Sequence, residues 1–465
     1  MNRLSRVVDL AAVLVTACAV LLPAQVTAGG PPLPAGLAPA ETGEPALPSG
    51  LGGEATSAIG EGGVADDTAG KPGLVRFWDI RVGLRTQDDD LVEDDFTLAE
   101  TRLRLEYLHQ WERAEFVLKS DLLLDALADD RGIDIERREG WLQLREVKLD
   151  LQPHSKVDMA LGRQVLTWGT GDLIFVNDLF PKDFNSFFIG RSEEYLKSPV
   201  DALRVSAYFD LFNVDLVYAP RFDSNLYLDP ERLSFFGSPG DTTLSVDMPD
   251  DWFSDDEIYL RANRRFGSWE LALYGYDGFW KGPEGFDLDR QVYLFPKLAV
   301  YGGSARGPLA GGIFNVEYGY YDSKDAGLDG NDYAPPSEQR LLLGYQRELA
   351  RELNLGLQYY LTHIEDYGDY QDDRLPGSPD RDRNRHVVTA RLSKLLMNQD
   401  LRLSLFAFVS PSDEDGYLRP QLHYRLDDHR SVELGANVFF GEDDDTFFGQ
   451  LSDNTNIYTA FRYDY

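Results

Sequence analysis

Cysteine is almost absent: Cys18 stands alone in 465 residues. An intrachain disulfide is therefore excluded, and so is a zinc site built on cysteine. Positive charge is also scarce, with 45 Lys and Arg against 79 Asp and Glu and a formal net charge of -34. A nucleic-acid partner needs clustered cations on one surface, and this balance argues against one. Past the N-terminus there is no run of 18 apolar residues, so no helix is long and apolar enough to span a bilayer. The six histidines (His109, His154, His363, His386, His423, His429) show no metal-ligand spacing. Neither a G-x-S-x-G elbow nor a phosphate-binding glycine loop occurs. We therefore expect no enzyme and no cofactor. The alternative is a hydrolase whose Ser, His and Asp would be remote in sequence.

What the chain does have begins with a leader. Arg3 and Arg6, the apolar stretch Leu10 to Leu22 and the small residues Val26-Thr27-Ala28 read as a secretory signal peptide over residues 1–28. Asp9, Pro23 and the short apolar core disfavour an uncleaved anchor. Residues 29–73 are Pro, Gly, Ala and Glu without aromatics, a composition that cannot offset its own ordering entropy. They are expected to form a disordered periplasmic tail.

From Leu74 the texture changes to period-two segments. "RLRLEYL" sets Leu103, Leu105 and Tyr107 on one face and Arg102, Arg104 and Glu106 on the other. "LNLGLQYYL", "DLRLSLFAFV" and "SVELGANVFF" repeat the pattern. Segments of about ten residues with one apolar face suit tilted strands that cross a bilayer. Soluble sandwich strands are shorter, nearer five or six residues. Eighteen such segments run from 74–86 to 455–465, the tenth placed at 290–302. The connections between them alternate short and long. The expected fold is an all-β transmembrane antiparallel barrel over residues 74–465, with about 18 strands and 16 as the alternative count. Short turns would lie in the periplasm and long loops outside the cell.

Strand parity then assigns the wall. Arg81, Arg85, Arg102, Arg104, Arg204, Arg261, Arg340, Arg391, Arg402, Arg419, Arg425 and Arg462 fall on the inward face, joined by Lys119 and Lys148. Asp79, Glu106, Glu115, Asp121, Glu146, Asp150, Asp158, Asp215, Glu270, Glu433 and Asp464 share it. Such residues satisfy one another as cross-strand ion pairs on a wet wall, or act together to draw anionic solutes; the two roles are compatible. The excess acid sits in loops, notably Gln87 to Asp95, Tyr367 to Arg374 and Gly441 to Phe447. These runs are solvated, or hold divalent cations shared with lipopolysaccharide phosphates.

One stretch fits neither strand nor ordinary loop: "TWGTGDLIFVNDLFPKDFNSFFIG", Thr167 to Gly190. It is apolar yet interrupted by Gly169, Gly171, Asn177-Asp178 and Pro181. It occupies the third long connection, so residues 167–199 are a candidate constriction loop folded into the barrel. Trp168, Phe180, Phe187 and Phe188 would pack on the inner wall. Asp172, Asp178, Asp183, Glu193 and Glu194 would oppose the wall arginines, with Lys182 and Arg191 modulating the field. An outside cap or a subunit contact is the alternative.

With "GRQVLTWGTGDLIF" after a strand, the chain resembles Gram-negative outer-membrane barrels related to porins and alginate-export channels, on Gly162-Arg163-Gln164 and Trp168-Gly169. The closing strand "NIYTAFRYDY", which ends on an aromatic, resembles the signature read by the barrel-assembly machinery. The resemblance implies an 18-stranded barrel with an arginine-lined lumen and mobile plugging loops. The expected function is an outer-membrane channel for passive passage or export of small polar or anionic solutes or of polysaccharide. A structural or assembly barrel with a plugged lumen, or a channel for hydrophobic solutes, is the alternative. Expected partners are outer-membrane lipid, lipopolysaccharide and the barrel-assembly machinery, with a homotrimer left open.

Overall fold

The computed structural model describes residues 74–86, 95–128, 132–135, 140–226, 228, 232–235, 245–329, 332–374 and 380–465. The expected signal peptide, the tail and most of the acidic run Gln87 to Asp95 lie outside the described residues.

Eighteen strands form one antiparallel sheet. They are β1 (Val75–Arg85), β2 (Phe96–Gln110), β3 (Ala114–Asp125), β4 (Leu142–His154), β5 (Val157–Val165) and β6 (Pro199–Tyr208). Next come β7 (Asn213–Ala219), β8 (Glu257–Phe266), β9 (Trp269–Phe279), β10 (Lys297–Leu309), β11 (Gly312–Ser323) and β12 (Glu338–Ala350). The last six are β13 (Leu353–Ile364), β14 (Asn384–Leu396), β15 (Leu401–Ser410), β16 (Asp415–Arg425), β17 (Arg430–Gly441) and β18 (Asn456–Asp464). Every strand pairs with its sequence neighbour, and β1 pairs with β18 from Phe77↔Asp464 to Arg85↔Asn456. The sheet is thus closed, and no ladder of unpaired backbone groups is left at an edge.

Alternation decides which face meets which medium. In β13, Asn354, Gln358 and Thr362 are buried while Leu357 is exposed. Leu84, Leu124, Leu161, Leu273, Leu343, Leu403, Leu434 and Ile457 are likewise exposed, one strand after another, on the outside of the cylinder. Water does not favour a continuous apolar belt of this kind; hydrocarbon does. No described helix is long and apolar enough to cross a membrane; the closed sheet with its apolar outer belt has the form that can.

The tenth strand departs from expectation. The apolar run after Gln291 reads as one strand, but Pro296 has no N–H to give a ladder. Its carbonyl accepts from Trp280 N at 2.9 Å. Val292–Leu294 leaves the barrel and joins a small five-stranded sheet with Val246–Asp247, Gly285–Asp287, Gly327–Asp329 and Asp332–Ala334. Gly307 and Pro308, which look like a turn, continue β10 opposite Phe314 and Ile313. The alternation of loop length has one break as well: 411–414, between β15 and β16, is a tight turn at the end where the other connections are long.

Candidate functional site

The connection 166–198, between β5 and β6, runs across the interior of the barrel. Gly169 (φ 84°) begins its departure from the wall in a left-handed conformation that favours glycine. Thr170 N and Gly171 N then donate to the buried Glu317 of β11, and Asn177 Nδ2 donates to the other oxygen of the same carboxylate at 3.0 Å. Asp172 N donates to Gln358 on β13 at 2.6 Å, and Val176 O accepts from Tyr321 on β11 at 2.6 Å. The wall is cut away for the loop. A Cβ on Gly302 would lie 1.8 Å from Asn177 Oδ1, and one on Gly319 would lie 3.1 Å from Val176.

The chain then crosses to the far side. A single helical turn, α1 (Phe184–Ile189), is capped by Asp183, whose Oδ1 accepts from Ser186 N at 2.8 Å. It stops at Gly190 (φ 95°), where a Cβ would come within 2.5 Å of the Tyr458 ring. Phe188 O accepts from Asn437 on β17 and Asn456 on β18, and Gly190 O accepts from Arg81 on β1. Phe187 and Phe188 pack on Tyr417, and Phe188 also packs on Phe439 and Phe448. Phe180 stacks on Tyr259 at 4.4 Å and meets Trp168 edge-on at 5.1 Å. The connection is therefore a belt inside the barrel, tied to β11, β13, β1, β17 and β18 by buried polar bonds and aromatic packing.

Charge is arranged around this belt. Arg391 on β14 holds Asp172 at 2.6 Å and Glu193 at 3.3 Å. Arg419 on β16 approaches Glu193 at 3.6 Å. Glu194 meets Arg462 at 3.2 Å and Arg104 at 3.6 Å. These three loop carboxylates retain 46%, 40% and 37% side-chain exposure, so they face water while paired. Behind them the ion pairs are dry. Arg102 and Arg104 share Asp121, and Arg81 bridges Asp79 and Glu433. Arg104 Nη2 donates to the Tyr195 hydroxyl at 2.8 Å, and Arg102 lies over the Tyr195 ring at 4.2 Å.

Burial pushes the Glu193 and Glu194 carboxyls up, but Arg391 and Arg419 for the first, and Arg104 and Arg462 for the second, outweigh it. Both titrate below the ordinary carboxylate range. A depressed folded pKa contributes stability above the ordinary value, lost as pH falls through the folded one. The belt's attachment to β14, β16 and β18 should thus hold through mild acid, to below about pH 4.3, the usual glutamate value. Thermal melts of the parent and of a Glu193→Gln, Glu194→Gln double variant recorded against pH check this; a difference between the two that has already vanished near pH 5.5, on the order of one unit above that value, would contradict it.

Some of the residues expected at the site are brought together: Arg81, Arg102, Arg104, Arg391, Arg419, Arg462, Asp172, Glu193 and Glu194 converge as described. Arg261 pairs with Asp215 at 2.7 Å and lies over Trp168 at 5.3 Å. Arg340 pairs with Glu338 at 2.9 Å and lies over Tyr321 at 3.8 Å. Arg204 and Arg402 take inward register positions, opposite Ala160 and His423. Five placements differ. Arg425 is 52% exposed and pairs with Asp400 at a turn, away from the belt. Asp178 pairs with Lys182 at 3.0 Å inside the loop, because both are buried there and neutralise each other. Lys182 consequently presents no field to the lumen. Asp183 is spent on the helix cap. Arg191 anchors the loop to Glu100 of β2 at 2.9 Å.

Strand parity missed Arg145. A bulge, marked by the register shift between Lys119 and Ser120 in the β3–β4 ladder, puts Arg145 and Glu146 on the inner side together. Arg145 Nη2 then donates to the Glu194 and Lys197 carbonyls, both at 2.9 Å. The slip is visible in "WLQLREVKLDL", where the apolar period breaks at Arg145-Glu146. Glu317 had no local signal at all. Among the described residues no group of three His, Cys, Asp or Glu could hold a metal ion. The acidic run Tyr367 to Arg374 forms mainly a short helix, α2 (Tyr367–Asp373).

No protein-family model matches the chain, and no curated protein matches it by sequence. Solved structures do. The crystal structure of Acinetobacter baumannii OccAB4 superposes with a TM-score of 0.52 over 84% of this chain and 96% of that one, at 10% identity. That of Acinetobacter baumannii OccAB3 gives 0.51 over 84% and 98%, at 9% identity. The chain shares their fold. At this identity the likeness reports the barrel and not the cargo, and the narrower relation to alginate-export channels is not shown by it.

Proposed function

We propose that the chain is a channel in the outer membrane of a Gram-negative bacterium, carrying small polar or anionic solutes by passive passage and without enzymatic turnover. The observation that carries this reading is the belt 166–198, with water-exposed Asp172, Glu193 and Glu194 set against Arg391, Arg419, Arg104 and Arg462. A solute that passes must cross a place where fixed charges of both signs face one another, and this favours polar and ionic cargo over apolar cargo. The similar barrels come from Acinetobacter baumannii, in keeping with an outer-membrane setting. Outer-membrane lipid, lipopolysaccharide and the assembly machinery are the partners such a barrel requires, and a trimer remains part of the proposal.

Reconstitution into planar bilayers tests the reading. Sustained open steps are the expected result. Silence from correctly folded protein favours the plugged structural barrel, which the many anchors of the belt also suit. A charge change refines the test: Glu194→Gln removes one exposed carboxylate and leaves Arg462 and Arg104 with less local compensation. The reversal potential in a salt gradient should move toward anion selectivity. An unmoved potential would place the solute path away from Glu194.

A further inference from the structure

On the outer side of the belt lies a cavity of about 300 Å³, between residues 173–188, the outer ends of β10 to β16 and the connections 280–296 and 442–455. Its wall is mostly aromatic and aliphatic, with Phe175, Phe184, Phe408 and Phe447 among the rings. The cations in it are all spoken for. Lys182 pairs with Asp178 at 3.0 Å, Lys281 with Glu257 at 2.6 Å, Arg340 with Glu338 at 2.9 Å and Arg385 with Asp413 at 2.5 Å. Glu338 also takes Arg381 at 2.5 Å, and Glu284 of the lining offsets this second arginine. An anion entering the chamber would therefore lose hydration and meet no uncompensated positive charge. Arg385 Nη2 has no hydrogen-bond partner among the described residues, but it is buried and so offers the chamber no open donor.

We propose that this chamber is a binding site for an uncharged ring compound. The rings of the wall take its flat body, and the paired cations leave no charge to hold an anion. This site is distinct from the charged crossing at Glu193 and Glu194, and solute capture there does not depend on whether ions pass.

The test uses the full mature chain, folded in neutral detergent, with 1-naphthalenemethanol and 1-naphthoate as probes in isothermal titration calorimetry at about neutral pH. The two share a ring system and differ in charge. The alcohol should bind saturably, and the carboxylate about tenfold or more weakly, a difference of about 1.4 kcal/mol. Phe447→Ala and Phe184→Ala should each weaken the alcohol severalfold; Phe447 is exposed, so its variant folds even if the other does not. Asp413→Asn leaves Arg385 without its counter-charge and should raise naphthoate affinity. Naphthoate binding as tightly as the alcohol would overturn the proposal. So would non-saturable uptake of the alcohol, unchanged in the alanine variants, which marks partition into micelles. So would an Asp413→Asn variant that gains no affinity for naphthoate. Since no current is measured, a barrel that binds the alcohol but conducts nothing would count against the channel reading alone.

Discussion

Deleting residues 171–190 is expected to raise single-channel conductance severalfold in planar bilayers. The segment crosses the interior from Glu317 on β11 to Arg81 on β1 and Asn437 on β17. Its removal clears side chains from the middle of the passage while the eighteen wall strands keep their own ladders. Stability should fall at the same time. Ile174, Val176, Phe180, Phe187, Phe188 and Ile189 are all buried, and a buried side chain of this size contributes about 1.5–3 kcal/mol. The measurement therefore needs a folded sample, checked by β-sheet circular dichroism below a lowered melting temperature. Folded protein with unchanged conductance would show that the belt does not limit flow.

The second large effect is expected at Glu317. Its two oxygens accept from Thr170 N, Gly171 N and Asn177 Nδ2, and the side chain is almost fully buried. Glu317→Ala leaves three donors without their acceptor in a dry place. Each buried unsatisfied group costs about 1–3 kcal/mol. Melting should shift down by several degrees, and the loop should detach from β11 at its first anchor. In single-channel records that appears as flicker between conductance levels. Glu317→Gln keeps one carbonyl oxygen to accept from the two backbone amides and should restore part of both. If the alanine variant melts like the parent and conducts quietly, Glu317 is not the anchor.

Much of the fold could be read in advance because strand signals are local. Leu357 against Gln358, or Leu403 against Arg402, states which face meets lipid without reference to any other strand. Seventeen strands accordingly lie within a few residues of the expected segments. The tenth did not, because Pro296 and Gly307-Pro308 act through pairing partners: the first ends a ladder, and the second is carried along by β11. At the site, parity found the arginines on regular strands. It failed at Arg145, where a bulge re-aims the side chain, and at Arg425, which pairs with Asp400 at a turn; the loop residues Asp178 and Lys182, expected to act on the wall, found each other instead.

The amino-acid sequence by itself determined the barrel, its two faces and the presence of an apolar, interrupted third connection, and narrowed the strand number to about 18 or 16. Those features follow from period-two patterning and from turn residues that act over a few positions. Only the tertiary structure decided that this connection crosses the interior, which wall residues hold it, and which of its carboxylates stay exposed. Glu317 and Thr170 are 147 positions apart, and Asn456 and the Phe188 carbonyl 268. Contacts over such distances exist only once the sheet has closed and brought β11, β17 and β18 around the loop. The same closure sets Lys182, Lys281, Arg340 and Arg385 beside their carboxylates around a chamber that no single stretch of the chain encodes.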